Sequence, residues 1–524
     1  MEKRCNSHDA INDFDPGMNR AAFWLVRNDM TETTTSAAPS SSAASTTSSA
    51  PSSDTSNARN TLVITLLLIS TFVVVLNETI MSVALPRLME DLSISASVAQ
   101  WLTTAFMLTM AVVIPITGFL LQRFTTRTVY IAAMTLFSAG TLIAAIAPGF
   151  EVLLVGRIVQ ATGTAIMIPL LFTTVLTLVP ETSRGRIMGN ISIVISVAPA
   201  VGPTISGLIL SVLDWRWMFF IVLPIAVIAL IIGAIRIPNV SEPRKTPLDV
   251  VSIVLSALGF GGLVFGLSNF ATASTAMTAI SLAVGGISIA LFILRQVQLQ
   301  RRDRALLDLR TFKSPIFTLA IGMITISMVA LFGTLILIPM YTVGVLGLSE
   351  LNTGLLLLPG GLIMGLLAPF VGRLYDRNGP RALVIAGSIV VSVSLWGMTM
   401  LSDTTPFWFV LVAHIALSIG LALLFTPLFT AGLGSIPPKL YSHGSAVVST
   451  VQQLAGAAGI AVFITVMTAR VVTETASGAE AVAAQASGIH SAFVVGAIIS
   501  LAAIPIAFFI RKPASSGEPL PVGH

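Results

Sequence analysis

Residues 62–88 read LVITLLLISTFVVVLNETIMSVALPRL, a long apolar run whose main interruption is Asn77, Glu78 and Thr79. The hydrocarbon core of a bilayer is about 30 Å thick and requires about twenty helical residues. A helix over this run is therefore long enough to span a membrane. A carboxylate near the centre of such a helix costs about 2.5–3.5 kcal/mol on insertion scales, and this cost marks Glu78 as a candidate functional residue.

The whole chain has the composition of a membrane protein. Of its 524 residues, 55% are hydrophobic and 10% are charged, whereas a soluble domain carries about a quarter charged residues. The formal net charge of +5 comes from basic residues in short joints between apolar runs. We therefore expect a lipid bilayer, and no nucleic acid, as the partner of this basic chain.

Several kinds of chemistry have no sequence signature here. The only cysteine, Cys5, excludes an intramolecular disulfide, and five scattered histidines predict no metal site. No lysine follows a glycine, so a phosphate-binding loop is absent from the sequence. We expect no cofactor and no enzyme, and uphill work would need an ion gradient or a partner subunit.

The pattern of apolar runs predicts an all-α integral membrane fold with about fourteen spans. Residues 31–58 are rich in Ser, Thr, Ala and Pro, which predicts a disordered tail over residues 1–60. The predicted spans are 62–84, 98–121, 128–147, 152–179, 188–212, 216–236, 248–269, 276–295, 316–338, 352–371, 380–401, 406–430, 444–468 and 489–510.

Basic residues collect in the loops that follow even-numbered spans. Arg123, Arg184, Arg236, Arg301 and Arg377 all fall on that side, and far fewer fall on the other. The positive-inside rule then places both termini in the cytoplasm. We expect a multi-pass protein of the cell membrane.

An internal repeat divides the chain. GFLLQRFTTR at 118–127 matches GRLYDRNGPR at 372–381, and Arg157 matches His414 at nearly the same offset. Parallel repeats of this kind build transporters whose substrate site lies between two bundles. The predicted domains are a tail (1–60), two six-helix bundles (61–236 and 313–512), two extra helices with a linker (237–312), and a second tail (513–524).

Five motifs together carry a family resemblance: LNETIMSVALP (76–86), GRIVQATG (156–163), APAVGPTISG (198–207), WRWMFFIVLP (215–224) and GRLYDRNGPR (372–381). With them, the sequence resembles the major facilitator superfamily, in its fourteen-helix drug:proton antiporter branch, over about residues 60–512. The Asn-Glu-Thr stretch is most similar to exporters of the lincomycin-resistance type.

The resemblance implies that Glu78 and Arg157 lie close together, because helices one and four line the cavity in this family. Burial favours the protonated form of a carboxyl group and a nearby arginine favours the charged form. A carboxyl group balanced between these influences can exchange a proton as access alternates. The alternative is a permanent ion pair that only holds two helices together.

Two further polar residues are candidate substrate contacts. The branch commonly has Asp where this chain has Asn77, and Glu78 lies about 100° further round the helix. Either Asn77 takes the usual cavity-facing position as a hydrogen-bonding substrate contact, or Glu78 does the work of that acid from a different face. Gln160 lies three residues after Arg157, on the same face, and either orients that arginine or a water, or makes an ordinary contact between helices.

The fifth span resembles the antiporter signature and carries the first gating residues. Gly202 and Gly207 permit close helix approach, and Pro203 removes one backbone hydrogen bond. We expect this segment to bend the helix and seal the cavity in one state.

The loop motif of the second half supplies the other gating residues. Asp376 precedes the eleventh helix, whose N-terminus favours negative charge. With Arg373, Arg377 and Arg381 it is expected to form a cytoplasmic latch, unless the arginines only set topology. Gly372 of the same motif is a further gating candidate. In the first half Gln122 replaces the acid, which leaves that half of the latch uncharged.

His414 occupies the position of Arg157 in the second repeat. A histidine can titrate near neutral pH, so proton coupling is one interpretation. The alternative is a histidine bonded to a neighbouring backbone carbonyl.

The sequence therefore predicts a proton-coupled antiporter that exports drugs or other amphiphilic small molecules by alternating access. Its partners would be the small-molecule substrate and protons, and we expect a monomer. Export of a natural metabolite, such as an amino acid, lipid or siderophore, is an alternative. A non-transporting membrane receptor is a third hypothesis, from a different class.

Overall fold

A computed structural model describes residues 53–240, 243, 247–268 and 275–513. Most of the predicted N-terminal tail and of the 513–524 tail lies outside these residues. The last part of the N-terminal tail, residues 53–60, belongs to the first helix instead of a disordered segment. Residues 53–58, 82, 83, 96, 97 and 350 are described by their backbone only.

The described residues form fifteen α-helices, of which fourteen are long and apolar enough to span a membrane. The first bundle contains α1 (Ser53–Asp91), α2 (Ala96–Arg123), α3 (Thr126–Ala145), α4 (Phe150–Leu178), α5 (Arg184–Val212) and α6 (Trp217–Arg236). Two helices follow, α7 (Val250–Ser268) and α8 (Thr275–Leu299). The second bundle contains α9 (Pro315–Gly344), α10 (Glu350–Asn378), α11 (Arg381–Met398), α12 (Phe407–Gly434), α13 (Tyr441–Ala476) and α14 (Ala481–Leu501), and a short α15 (Ala503–Ala507) follows.

The predicted fold class is confirmed, although several helix boundaries differ, two of them instructively. Helix α1 continues through Pro86 to Asp91, because a proline removes one helical hydrogen bond without necessarily ending a helix. The last span begins at Ala481, eight residues before its predicted start. The segment 481–488 mixes Ala with Gln, Ser and Gly, which hides its helical character from a hydropathy scan.

Two pairs of helices join the first bundle to the second. Helix α5 packs along α10, and α2 packs along α13. These pairs are related by the repeat, since α10 corresponds to α2 and α13 to α5. We call the ends of the helices that carry the arginine-rich loops, after each even-numbered span, the basic face.

Helices α7 and α8 form a hairpin whose base is held by an ion pair. Arg295 donates two hydrogen bonds of 2.7 Å to the carboxylate of Asp249, just before α7. Buried Gln296 donates to Ser252 and accepts from the backbone N–H groups of the linker at Leu306 and Leu307. Helix α7 also packs against both α2 and α13, so the hairpin covers one seam between the bundles.

Candidate functional site

Close packing of α3 against α4 places two polar side chains of α4 inside the first bundle. A Cβ atom at Gly156 would lie 2.9 Å from the backbone nitrogen of Ala144, and one at Gly163 would overlap the backbone of α3. Small residues let membrane helices approach closely, and at these two positions the overlaps leave room for glycine alone. Arg157 and Gln160 lie between these glycines and are both fully buried.

The Arg157 guanidinium lies in a hydrogen-bonded chain that joins three helices. Its Nη1 donates to Oε1 of Gln160 at 2.6 Å and to Oδ1 of Asn77 on α1 at 3.3 Å. The amide nitrogen of Gln160 then donates to Oγ1 of Thr141 on α3 at 2.8 Å. Gln160 therefore contacts both the arginine and a neighbouring helix, so both sequence-based interpretations of it stay open.

A fourth helix also contacts the guanidinium. The Phe106 ring on α2 faces Arg157, with 4.0 Å between the guanidinium carbon and the ring centroid. A cation over an aromatic face is attracted by the ring quadrupole, more strongly when desolvated. Nε of Arg157 has no hydrogen-bond partner among the described residues, so the ring and two amide oxygens hold this charge.

Glu78 is placed differently from its neighbour Asn77. Its side chain is half-buried, whereas Asn77 is only 2% exposed. Arg157 lies close enough to interact electrostatically with the Glu78 carboxylate. Among the described residues, no ion pair within 4.0 Å joins the two.

This arrangement bears on the two substrate-contact candidates. The amide oxygens of Asn77 and Gln160 both accept hydrogen bonds from Arg157, and both side chains are buried in this structure. Their role as substrate contacts stays a prediction. Glu78, one residue from Asn77, keeps a carboxylate that is free of direct ion pairing with the described residues.

The signature segment of α5 packs directly against the turn that follows Glu78. A Cβ atom at Gly202 would overlap the side chain of Thr79. The Thr79 hydroxyl donates to the carbonyl of Leu76 and, at 3.4 Å, to the carbonyl of Ala198 on α5. Pro203 lies within the same helix, so a bend of α5 at Pro203 would shift the backbone next to Glu78.

Gly207 does not take part in this close approach. No atom lies within 4 Å of the position that its Cβ would occupy, and the residue is exposed. Gly354 on α10 is equally open. Helices α5 and α10 approach closely between Gly185 and Ala200, and a gating role for Gly207 stays a prediction.

Asp376, at the end of α10, binds the first turn of α5. Its Oδ1 accepts from the backbone N–H of Gly185 at 2.8 Å, and its Oδ2 accepts from that of Arg186 at 2.9 Å. The sequence-based assignment of this carboxylate to the N-terminus of α11 is corrected: it caps a helix of the other bundle. Gly372 fits against the backbone of Gly185, because a Cβ there would overlap it.

The arginines of the loop motif are not part of this capping contact. Arg377 and Arg381 are exposed, and within the described part of the chain neither forms an ion pair. In the first half, Gln122 donates to the backbone carbonyl of Lys439, just before α13, at 3.2 Å. The uncharged half of the motif therefore still joins the two bundles.

Sequence reasoning missed a layer of contacts between the bundles near the basic face. Hydroxyl groups of Thr173 and Ser445 meet at 2.7 Å, and Thr426 donates to Ser192 at 2.9 Å. The Phe172 and Phe429 rings pack beside them, with centroids 5.4 Å apart. We call these six residues the inner seal. Ordinary Ser, Thr and Phe residues in apolar spans gave no signal of it, because each contact joins positions far apart in sequence.

Two histidines are buried in the second bundle. His414 on α12 lies with Nε2 3.3 Å from the carbonyl of Leu357 on α10. This is the contact with a backbone carbonyl that the alternative interpretation of His414 expects. The proton-coupling role of His414 stays a prediction. His443 on α13, which the sequence did not single out, is buried against Gly118 of α2.

Comparison with known proteins gives consistent results. The model of a family described as the Major Facilitator Superfamily matches residues 67–460. The lincomycin resistance protein LmrB of Listeria monocytogenes serovar 1/2a is 44% identical over 448 residues, which are 84% of this chain and 94% of that protein. LmrB of Bacillus subtilis (strain 168) is 40% identical over 451 residues, with the same two shares.

A solved structure supports the fold. The human organic anion transporter MFSD10 (TETRAN) aligns with a TM-score of 0.60 over 86% of this chain and 99% of that one, at 14% sequence identity.

Proposed function

We propose that this chain, which belongs to the Major Facilitator Superfamily, exports amphiphilic small molecules in exchange for protons. Relatives named for lincomycin resistance support a drug as the substrate class. The relatives and the fold are those of transporters and not of enzymes. The apolar helices are consistent with a multi-pass membrane location. The observation that carries proton coupling is the half-buried Glu78, beside a positive charge and without an ion-pair partner among the described residues.

The chemistry of the proposed exchange follows from this placement. Arg157 is held by Asn77, Gln160 and Phe106, so it stays in place whether Glu78 is charged or neutral. The Glu78 carboxylate can therefore gain or lose a proton without breaking an ion pair. A proton that enters from outside would neutralise Glu78 and favour substrate release.

Alternating access would act through α5. In the proposed orientation the basic face is cytoplasmic, because its loops carry the arginines, and both termini lie there. The inner seal and the Asp376 contact then close the cytoplasmic side, and the cavity would open to the outside. Gly202 packs against Thr79, so movement of α5 would reach the residue next to Glu78.

The driving force is sufficient for export. One charge crossing the membrane gains about 2.3 kcal/mol per 100 mV. Since every 1.4 kcal/mol is a factor of ten, one proton supports a gradient on the order of fifty-fold.

The experiment compares Glu78→Gln with the unmodified chain in proteoliposomes under an imposed pH gradient. We expect proton-driven lincomycin transport to fall at least about tenfold, while the thermal unfolding temperature stays within a few degrees, since amide and carboxyl groups have the same shape. Glu90→Gln is the matched control, because Glu90 lies on the same helix with its side chain 72% exposed. Full activity of Glu78→Gln would remove Glu78 from the mechanism.

A further inference from the structure

Two adjacent glutamines on α13 have no role so far. Gln452 and Gln453 lie within a span of Pro438–Ala476, and both are half-buried. Neither side chain makes a hydrogen bond with another described residue, and the amide atoms of neither are fully buried. An unpaired amide in a membrane span is energetically costly. Two unpaired amides in succession therefore suggest a polar ligand that binds and dissociates.

The face of α13 that carries them points towards the first bundle. Ser445, seven residues before Gln452, bonds Thr173 of α4 across the inner seal. Ser449 lies between them, buried and with an unpartnered hydroxyl. Residues at i, i+4, i+7 and i+8 share one face of a helix, so both glutamines continue the line of Ser445 and Ser449.

Along the membrane normal the glutamines lie further from the basic face than the inner seal does. With a rise of 1.5 Å per residue, Gln452 lies about 11 Å along α13 from the Ser445–Thr173 contact. Arg157 lies about 24 Å along α4 from the same contact, by the same rise. The glutamines and the Glu78–Arg157 region are therefore separated by roughly 13 Å along the membrane normal, which is about the length of a drug-sized molecule.

We propose that Gln452 and Gln453 form a substrate-binding floor of the central cavity that recognises hydroxyl or amide groups. This inference rests on the proposed function and names the substrate class. An amide supplies both a donor and an acceptor without charge, so the pair selects neutral polar groups. Phe332 on α9 lies against Gly456, about one helical turn beyond the pair, with a ring carbon 3.0 Å from the position of a Cβ there. Its ring would offer apolar surface to the rest of an amphiphile.

The test uses the double variant Gln452→Met with Gln453→Met, because methionine keeps the length of the side chain and removes its hydrogen-bonding groups. The probes are lincomycin, which carries hydroxyl and amide groups, and tetraphenylphosphonium, which carries neither. Equilibrium binding to the full chain in nanodiscs and transport into proteoliposomes are measured separately. Thr468→Val, an exposed position on the same helix, is the control.

We expect the dissociation constant for lincomycin to rise about tenfold to a hundredfold, as loss of two hydrogen bonds predicts. Tetraphenylphosphonium binding should stay within about twofold, and Thr468→Val should change neither. Should the double variant unfold, Gln452→Asn and Gln453→Asn keep the amide but withdraw it by one methylene group, and they allow the same comparison.

Three results would overturn the inference: unchanged lincomycin binding, equal weakening of both probes, or no lincomycin binding by the unmodified chain. Binding that depends on the glutamines without any proton-driven transport would instead refute the proposed function and leave the binding floor standing.

Discussion

The contact of Asp376 with α5 gives the sharpest mechanical prediction. Asp376→Ala removes two hydrogen bonds from a carboxylate to the backbone N–H groups of Gly185 and Arg186, of 2.8 and 2.9 Å. Hydrogen bonds to charged groups contribute about 1.5–3 kcal/mol each. Because Asp376 is only half-buried, we take about 1–1.5 kcal/mol each, including the interaction with the helix dipole.

The closed arrangement of the basic face should then lose about 2–3 kcal/mol. At 1.4 kcal/mol per factor of ten, the population of molecules open at this face rises about 30- to 140-fold. Asp376→Asn keeps one oxygen acceptor without the charge, so its effect should fall between the unmodified chain and Asp376→Ala.

A buried reporter makes this shift measurable. In a Cys5→Ala background, Ser449→Cys places a thiol at a site that is 5% exposed and makes no hydrogen bond within the described residues. Its rate of alkylation by a small maleimide follows the open population when opening and closing are fast. We expect this rate to rise by the same 30- to 140-fold in Asp376→Ala.

A matched control separates the latch from general loosening. Asp403→Asn removes an exposed carboxylate at the opposite face and should leave the alkylation rate unchanged. An unchanged rate in Asp376→Ala would refute the argument that this carboxylate holds the basic face closed. An equal rise in Asp403→Asn would refute it as well.

Two other predictions concern stability. Gly202→Ala should destabilise the protein by about 1–3 kcal/mol, because the new methyl group overlaps Thr79. Gly207→Ala, in open space on the same helix, should be neutral or slightly stabilising through helix propensity. Equal effects of the two substitutions in thermal unfolding would contradict the packing argument. The hydrogen bond from Arg295 holds the pKa of Asp249 well below its usual range, so their ion pair stabilises the hairpin above about pH 4 and is lost only as the pH falls through the lowered value. Asp249→Asn should therefore cost about 1 kcal/mol between pH 5 and 8, with a difference in unfolding that shrinks below pH 4, and a difference that grows there would contradict the assignment.

Much of the architecture could be read from the sequence because membrane spans follow composition and length. The family resemblance predicts the approach of Glu78 to Arg157. The partner of Arg157 was not settled, because the helical period gives the face on which Asn77 and Glu78 lie but not the direction of each side chain. The structure assigns the direct contact to Asn77 and leaves the acid free to interact at longer range.

Contacts between the bundles could not be predicted in the same way. Asp376 stands before α11 in the sequence, and local reasoning about helix ends pointed there. Its actual partners lie about 190 residues earlier, because packing of α10 along α5 brings the start of another helix nearer. The glutamines of α13 were also passed over, since only the position of Ser445 against Thr173 shows which way that face of the helix points.

The two halves of the loop motif close the basic face with unequal strength. On the side of α5, a carboxylate accepts two short hydrogen bonds at a helix N-terminus, where negative charge is favoured. On the side of α13, Gln122 makes one neutral hydrogen bond of 3.2 Å to the Lys439 carbonyl, and neutral bonds are about half as strong as charge-assisted ones. The repeat therefore keeps the position of both contacts but concentrates most of the polar stabilisation in one of them. This is why a single substitution at Asp376 should open the basic face measurably although the Gln122 contact and the inner seal remain.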